Sequence, residues 1–319
     1  MPLNARSPIV ATVVAATTLI AALPAAVAQN ATATPATCSP LESTTPALTC
    51  DVPSASMGRD ISVVVKPGDD PDKVVQFLDG IEGGDSWSDV ALPHLSEETA
   101  TVVFPSAEER SFWVDWDVAS PPNNLQMSYE TFLTQELPAY LTENFRVSPN
   151  PRTGVLGISM GAYSAVNLAS KRPGTYTSVL AMSGFYNNQD LAGRAITDLT
   201  TLSHGENNTG IPWTDEASRA DDNPWHTIDN LTADTIITTA TGVPHPEDWN
   251  DHDLPTVIGG GVLEAGTLGV TGAYDLWSRL HHKENVETIY IPTGTHSWGN
   301  WTRAAFTEQK LYWRFSAAI

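Results

Sequence analysis

Gly157-Ile158-Ser159-Met160-Gly161 constrains this chain more than any other stretch of its 319 residues. It follows the apolar pair Val155-Leu156 and leads straight into Ala162-Tyr163-Ser164-Ala165-Val166-Asn167-Leu168, whose apolar spacing is helical. A serine flanked by glycines between a strand and a helix can sit on a very sharp turn, which lifts its hydroxyl above the end of a sheet. The helix N-terminus beneath it favours negative charge. Serine acyl chemistry is the expectation.

Far downstream, Gly294-Thr295-His296-Ser297-Trp298 follows a second β-like run, Thr288-Ile289-Tyr290-Ile291. Nucleophile first and histidine last is the chain order of an α/β-hydrolase. The serine hydroxyl is a weak nucleophile until a histidine takes its proton, and the histidine needs a carboxylate to hold its tautomer. Ser159 and His296 supply two of the three groups. Spacing leaves the third open, because Glu247, Asp248, Asp251, Asp253 and Glu264 all follow the candidate strand that ends near Ala240. The acidic run His245 to Asp253 reads as a solvated loop rather than a cation site, and no His-Glu-x-x-His spacing occurs, so no metal is expected. An organic cofactor is not needed either, since fixed N–H donors polarise the carbonyl. Those donors are expected at the backbone of Met160, next to the nucleophile, and of Ile81, at the turn closing Phe77-Leu78-Asp79-Gly80-Ile81.

Strands are expected at 61–66, 74–78, 100–104, 112–115, 153–157, 178–182, 234–240 and 287–291, and helices at 129–144, 160–170, 258–282 and 301–315. Strands alternating with helices predict an α/β fold with a mostly parallel central sheet and helices on both faces. Asn187 to Trp225 is polar and irregular by comparison, and reads either as a small cap over the site or as a plain surface insertion.

The first residues combine Arg6, an apolar stretch from Ile9 to about Leu23 and the small-residue site Ala26-Val27-Ala28, so 1–28 is expected to be a secretory signal peptide. Thr and Pro interrupt the apolar stretch, which disfavours a membrane anchor. Residues 29–50 are rich in Ala, Thr, Pro and Ser and predict a flexible leader, with the catalytic domain at 51–319. Cys38 and Cys50 are the only cysteines; in an exported chain they are expected to pair, the alternative being two free thiols. A formal net charge of -21 makes nucleic acid and anionic lipid head groups poor partners.

From about Asp51 to the C-terminus the chain resembles the mycolyltransferases of mycobacteria and corynebacteria, the antigen 85 group of the esterase D type α/β-hydrolases. The resemblance is carried in order by Val52 to Ile61, Phe77-Leu78-Asp79-Gly80, Tyr129 to Pro138, Gly157 to Gly161, Ala181-Met182-Ser183-Gly184 and Gly294 to Trp298. It implies that Val262-Leu263-Glu264-Ala265-Gly266 carries the catalytic glutamate, which favours Glu264 over the aspartates. It further implies Ser159 as nucleophile, His296 as base, and Ile81 and Met160 as oxyanion donors. Asp79 would contact a trehalose unit, and Trp298 would lie beside the sugar site. Glu82 stands where mycobacterial members commonly have Arg at the acyl-sugar site. The strand at Ile236 to Ala240 lacks the Cys those members keep, and the leader cysteines are not shared with them. These departures suit a corynebacterial-type member better than a mycobacterial one.

The activity so implied is transfer of a mycolyl group from trehalose monomycolate to a second trehalose monomycolate, cell-wall arabinogalactan or a protein hydroxyl, outside the cell, with peripheral contact to an outer lipid layer. A secreted carboxylesterase with the same triad is the first rival, and a non-catalytic carbohydrate- or host-protein-binding relative the second. A transferase must hold a sugar hydroxyl against an aromatic face and keep water out; Trp87, Trp113, Trp116, Trp225 and Trp298 are the candidates for that face.

Overall fold

Nine strands, β1 (Cys38–Leu41), β2 (Ala47–Ser54), β3 (Arg59–Lys66), β4 (Lys73–Leu78), β5 (Thr101–Pro105), β6 (Arg152–Ile158), β7 (Ser178–Met182), β8 (Asp234–Ala240) and β9 (Val286–Ile291), form one sheet in the computed structural model, which describes residues 38–203, 210–250 and 252–319. The order is β1-β2-β3-β5-β4-β6-β7-β8-β9. The six strands from β5 to β9 run parallel, and β1, β2 and β3 add an antiparallel edge. Central strands of such a sheet are covered on both faces, which is why β6 and β7 read as unbroken apolar runs. Val155 and Val179 feed one core, with helices Met160–Lys171 and Leu137–Asn144; their neighbours Leu156 and Leu180 feed the other, with Trp301, Phe306 and Phe315 from the C-terminal helices. Successive side chains thus alternate between two hydrophobic layers, as the pleat requires.

Three expectations need correcting. Residues 38–50 are not a flexible leader: β1 and β2 pair across Cys38↔Cys50, the two cysteines form a disulfide, and Cys50 is fully buried. Among the described residues the ordered body therefore begins at Cys38 rather than near Asp51, since alternate residues of β2 reach the core despite the polar composition. The expected strand at 112–115 does not form. Phe112 and Trp113 have φ of 51° and 54°, a left-handed backbone that no strand adopts, and they bury their rings from a loop instead. The helix expected at 301–315 is interrupted, with Trp298–Thr302 running into a wider turn at Arg303–Thr307 and Leu311–Ala317 beginning after Lys310 at φ 53°.

The segment 187–225 contains helices Leu191–Ser203, Glu216–Asp221 and Pro224–Thr227 rather than irregular chain, with 204–209 outside the described residues. Asp222 ties it to the elbow helix, accepting from Lys171 Nζ at 2.6 Å and from Trp213 Nε1 at 2.8 Å. The expected signal peptide and the leader up to residue 37 also lie outside the described residues. No helix among the described residues is long and apolar enough to cross a membrane.

Candidate active site

The turn after β6 is possible only with its glycines. A Cβ at Gly157 would stand 2.1 Å from the carbonyl oxygen of Gly161, and one at Gly161 would stand 2.3 Å from that of Leu78. Ser159 itself is held at φ 50°, ψ −116°, strained for a residue with a side chain. Its N–H donates to the carbonyl of Met182 on β7 at 2.9 Å, and Met160 begins the helix. The hydroxyl therefore sits above the middle of the parallel sheet, at the C-terminal ends of its strands.

His296 comes from the loop after β9 and its Nε2 lies 2.9 Å from Ser159 Oγ. Its Nδ1 lies 2.9 Å from Glu264 Oε2. A carboxylate at Nδ1 draws the imidazole proton there, which leaves Nε2 to accept from the serine hydroxyl. Glu264 is fully buried, and its other oxygen accepts from Ser183 Oγ at 2.7 Å, Ala240 N at 2.7 Å and Thr239 Oγ1 at 3.1 Å. Four hydrogen-bond partners on one carboxylate lock its orientation. Trp301 packs edge-on to the imidazole at 5.0 Å between centroids, and its Nε1 donates to Ser183 Oγ at 3.0 Å.

The other carboxylates that spacing had left open lie elsewhere. Asp248 accepts from Arg303 Nη2 at 2.8 Å, from Thr295 Oγ1 at 3.1 Å and from His245 N at 2.9 Å, so it braces the histidine loop from outside. Glu247 also pairs with Arg303, and Asp253 caps the long helix Leu254–Leu280 through Thr256 N. Asp251 is outside the described residues. Glu264 was distinguishable in principle: with Val257, Gly261, Thr267, Thr271, Tyr274 and Ser278 it occupies the buried stripe of that helix.

A cleft of about 500 Å³ opens over Ser159. Asp79, Ile81, Glu82, Met160, His296 and Trp298 all line it, while Glu264 lies behind the imidazole. Gly80 passes close to Ser159; a Cβ there would meet Ser159 Cβ at 3.6 Å, so the Asp79–Ile81 turn lies against that residue. Of the five tryptophans considered for an aromatic face, only Trp298 lines the cleft, accompanied by Trp301. Trp87, Trp113 and Trp116 are core residues, and Trp225 stacks on Trp277. Phe112, Phe185, Ile196 and Leu263 were not anticipated and make much of the remaining wall apolar. Ile196 brings the 187–225 segment to the cleft.

Asp79 is 2% exposed, and its Oδ1 has no hydrogen-bond partner. Burial pushes its carboxyl up to about 8; backbone N–H bonds from Trp87 and Ser86 pull it down, and the nearby Asp85 and Asp89 push it further up. A free Asp titrates near 4. Between these values the folded chain holds a proton that the unfolded chain has released, so the stability associated with Asp79 is full below about pH 4 and is lost as pH rises through about 8. Asp79→Asn removes this dependence. Urea unfolding is expected to show the variant gaining on the parent between pH 5 and pH 8 by on the order of 3 kcal/mol; a difference constant with pH would mean that the carboxyl is ionised throughout.

The Esterase family model matches residues 54–312. Over 265 residues the chain is 30% identical to the diacylglycerol acyltransferase/mycolyltransferase Ag85C of Mycobacterium leprae, a match covering 79% of this chain and 77% of that protein. Among solved structures it is similar to Mycobacterium tuberculosis MPT51, with a TM-score of 0.68 and 23% identity over 84% of this chain and 97% of the other. An S-formylglutathione hydrolase from Agrobacterium tumefaciens superposes with a TM-score of 0.61 at 15% identity, covering 88% and 98% of the two chains. These two likenesses establish an α/β-hydrolase fold.

Proposed function

This chain belongs to the Esterase family, and we propose that it is a serine acyltransferase that moves a mycolyl group from trehalose monomycolate to a hydroxyl acceptor through an acyl-enzyme on Ser159. The observation that carries the proposal is the unbroken hydrogen-bond chain from Ser159 through His296 to Glu264 at the floor of an apolar cleft. The likeness to an acyltransferase/mycolyltransferase favours transfer over plain hydrolysis.

In the first step Ser159 Oγ attacks the ester carbonyl while its proton passes to His296 Nε2. Negative charge collects on the carbonyl oxygen, where the N–H groups of Met160 and Ile81 would receive it. Collapse breaks the ester C–O bond, and the departing trehalose oxygen takes the proton back from His296. In the second step His296 removes the proton of an acceptor hydroxyl, whose oxygen attacks the acyl-enzyme, and Ser159 leaves reprotonated. Glu264 stabilises the imidazolium in both steps. The acceptor is a second trehalose monomycolate, an arabinogalactan hydroxyl or a protein hydroxyl. Asp79, Glu82 and Trp298 would orient the sugar, the carboxyls by hydrogen bonds and the indole by its apolar face.

Water is the competing acceptor throughout. The apolar wall of Phe112, Phe185, Ile196 and Leu263 disfavours its entry and suits an acyl chain. On the same proposal residues 1–28 direct export and the enzyme acts in the cell envelope or outside the cell.

Incubation of the mature protein with trehalose monomycolate, with diester and free acid resolved, tests this. The expected result is Ser159-dependent trehalose dimycolate in excess of free mycolic acid. Free acid alone with both water and sugar acceptors present would make the protein an esterase, and the absence of any Ser159-dependent product would point to a binding protein.

A further inference from the structure

The long helix Leu254–Leu280 turns large apolar side chains outward. Its buried side mixes Val257 and Tyr274 with Glu264, Thr267, Thr271 and Ser278, while its exposed side carries Leu254, Ile258, Val262, Leu276 and Leu280, each 54% to 70% exposed. Ordinary surface helices carry polar residues on the outer side. At about 100° per residue these five positions fall within an arc of about 80°, along a helix about 40 Å long. The residues between them on that side are small, and a Cβ at Gly259, Gly266 or Gly269 would meet nothing within 4 Å. From Leu254 to Ser278 the only charged side chains are the fully buried Glu264 and the half-buried Asp275, in a chain of net charge -21. Val243 extends the apolar area sideways, 56% exposed on the loop whose Gly242 packs against Gly261.

Contiguous exposed apolar area of this kind marks an interaction surface. Continuity with the cleft identifies what lies on it. Gly259, Gly260 and Leu263 of the same helix line the cleft, and Leu263 is also 46% exposed, so one apolar surface runs from the outer face to Ser159. A chain this acidic repels anionic head groups, and the face offers no cation before Arg279. The fitting occupant is therefore a lipid layer without net charge. We propose that the protein lies on such a layer through the outer face of helix Leu254–Leu280, and that an acyl chain passes from the layer over Leu263 into the cleft. The inference rests on the acyl-transfer proposal above and names the surface that presents its substrate.

Ile258→Asp/Val262→Asp places two charges on the face at positions that do not line the cleft, and Leu191→Asp, on the 187–225 segment and 88% exposed, is the control. Flotation with phosphatidylcholine vesicles and hydrolysis of p-nitrophenyl butyrate in solution, against a long-chain ester carried in the vesicles, separate binding from chemistry. The double variant is expected to lose at least about tenfold in vesicle binding and in the rate on vesicle-borne ester, while butyrate hydrolysis changes by less than about twofold and the control behaves as the parent. Unchanged flotation of the double variant overturns the inference. So does a parent dimer in sedimentation velocity that the double variant dissociates without effect on flotation, which would make the face a contact between copies. Failure of the parent to hydrolyse butyrate would count against the acyl-transfer proposal alone, since flotation needs no turnover.

Discussion

Ser159→Ala is expected to lower kcat/KM for any ester substrate by about 10⁶-fold, the loss seen when a triad nucleophile is removed, with thermal stability nearly unchanged. The size of the effect follows from the geometry. Ser159 Oγ lies 2.9 Å from His296 Nε2, and Gly80 of the Asp79–Ile81 turn passes against Ser159. Ser183 donates instead to Glu264 and accepts from Trp301, so it cannot substitute. Alanine at 159 also keeps the Cβ that the turn already accommodates. A fluorophosphonate probe should label the parent and leave the variant unlabelled; residual turnover within a hundredfold of the parent would mean that another group attacks the carbonyl.

Glu264→Gln should cost about 10⁴-fold in kcat with little change in KM. The amide oxygen is best placed where Ser183, Thr239 and Ala240 N all donate, because the amide NH₂ there would meet three donors. The NH₂ group then faces His296 Nδ1 and donates to it. The imidazole proton moves to Nε2, which now donates toward Ser159 instead of accepting from it, and the base is lost while the fold stays intact. Asp248→Asn is the informative comparison. Asp248 reaches the histidine loop through Thr295 Oγ1, its bond from His245 N being local to its own turn, so displacing it shifts the imidazole without altering its tautomer. A loss of no more than about a hundredfold is expected there. Equal losses in the two variants would move the tautomer-holding role away from Glu264.

The two carboxylates also show where sequence reasoning stops. Ser159 and His296 stand out because short local patterns, a glycine-framed turn and a histidine after a terminal strand, place them. Which carboxylate meets the imidazole depends on which side of a 27-residue helix turns inward, and that depends on tertiary packing. β6 and β7 were legible because burial on both faces writes itself as an apolar run. The same rule misled at Phe112 to Asp115, where aromatic residues are buried from a loop and no ladder is involved. β1 and β2 were missed for the opposite reason. Ala, Thr, Pro and Ser composition suggests a chain unable to fold, yet pairing with β3 and a disulfide supply from outside the order that composition lacks. The helix face from Leu254 to Leu280 was invisible until the buried side was known, since its overall hydropathy is that of a core helix.

β1 has a consequence beyond the fold. Any open sheet ends in a row of unsatisfied N–H and C=O groups on which a strand of another molecule can grow. Among the described residues the terminal strand is four residues long and includes Pro40, which has no N–H to offer. A would-be partner strand finds a short template with a missing rung. That arrangement discourages edge-to-edge polymerisation along β1, and makes Pro40 a guard against fibre growth.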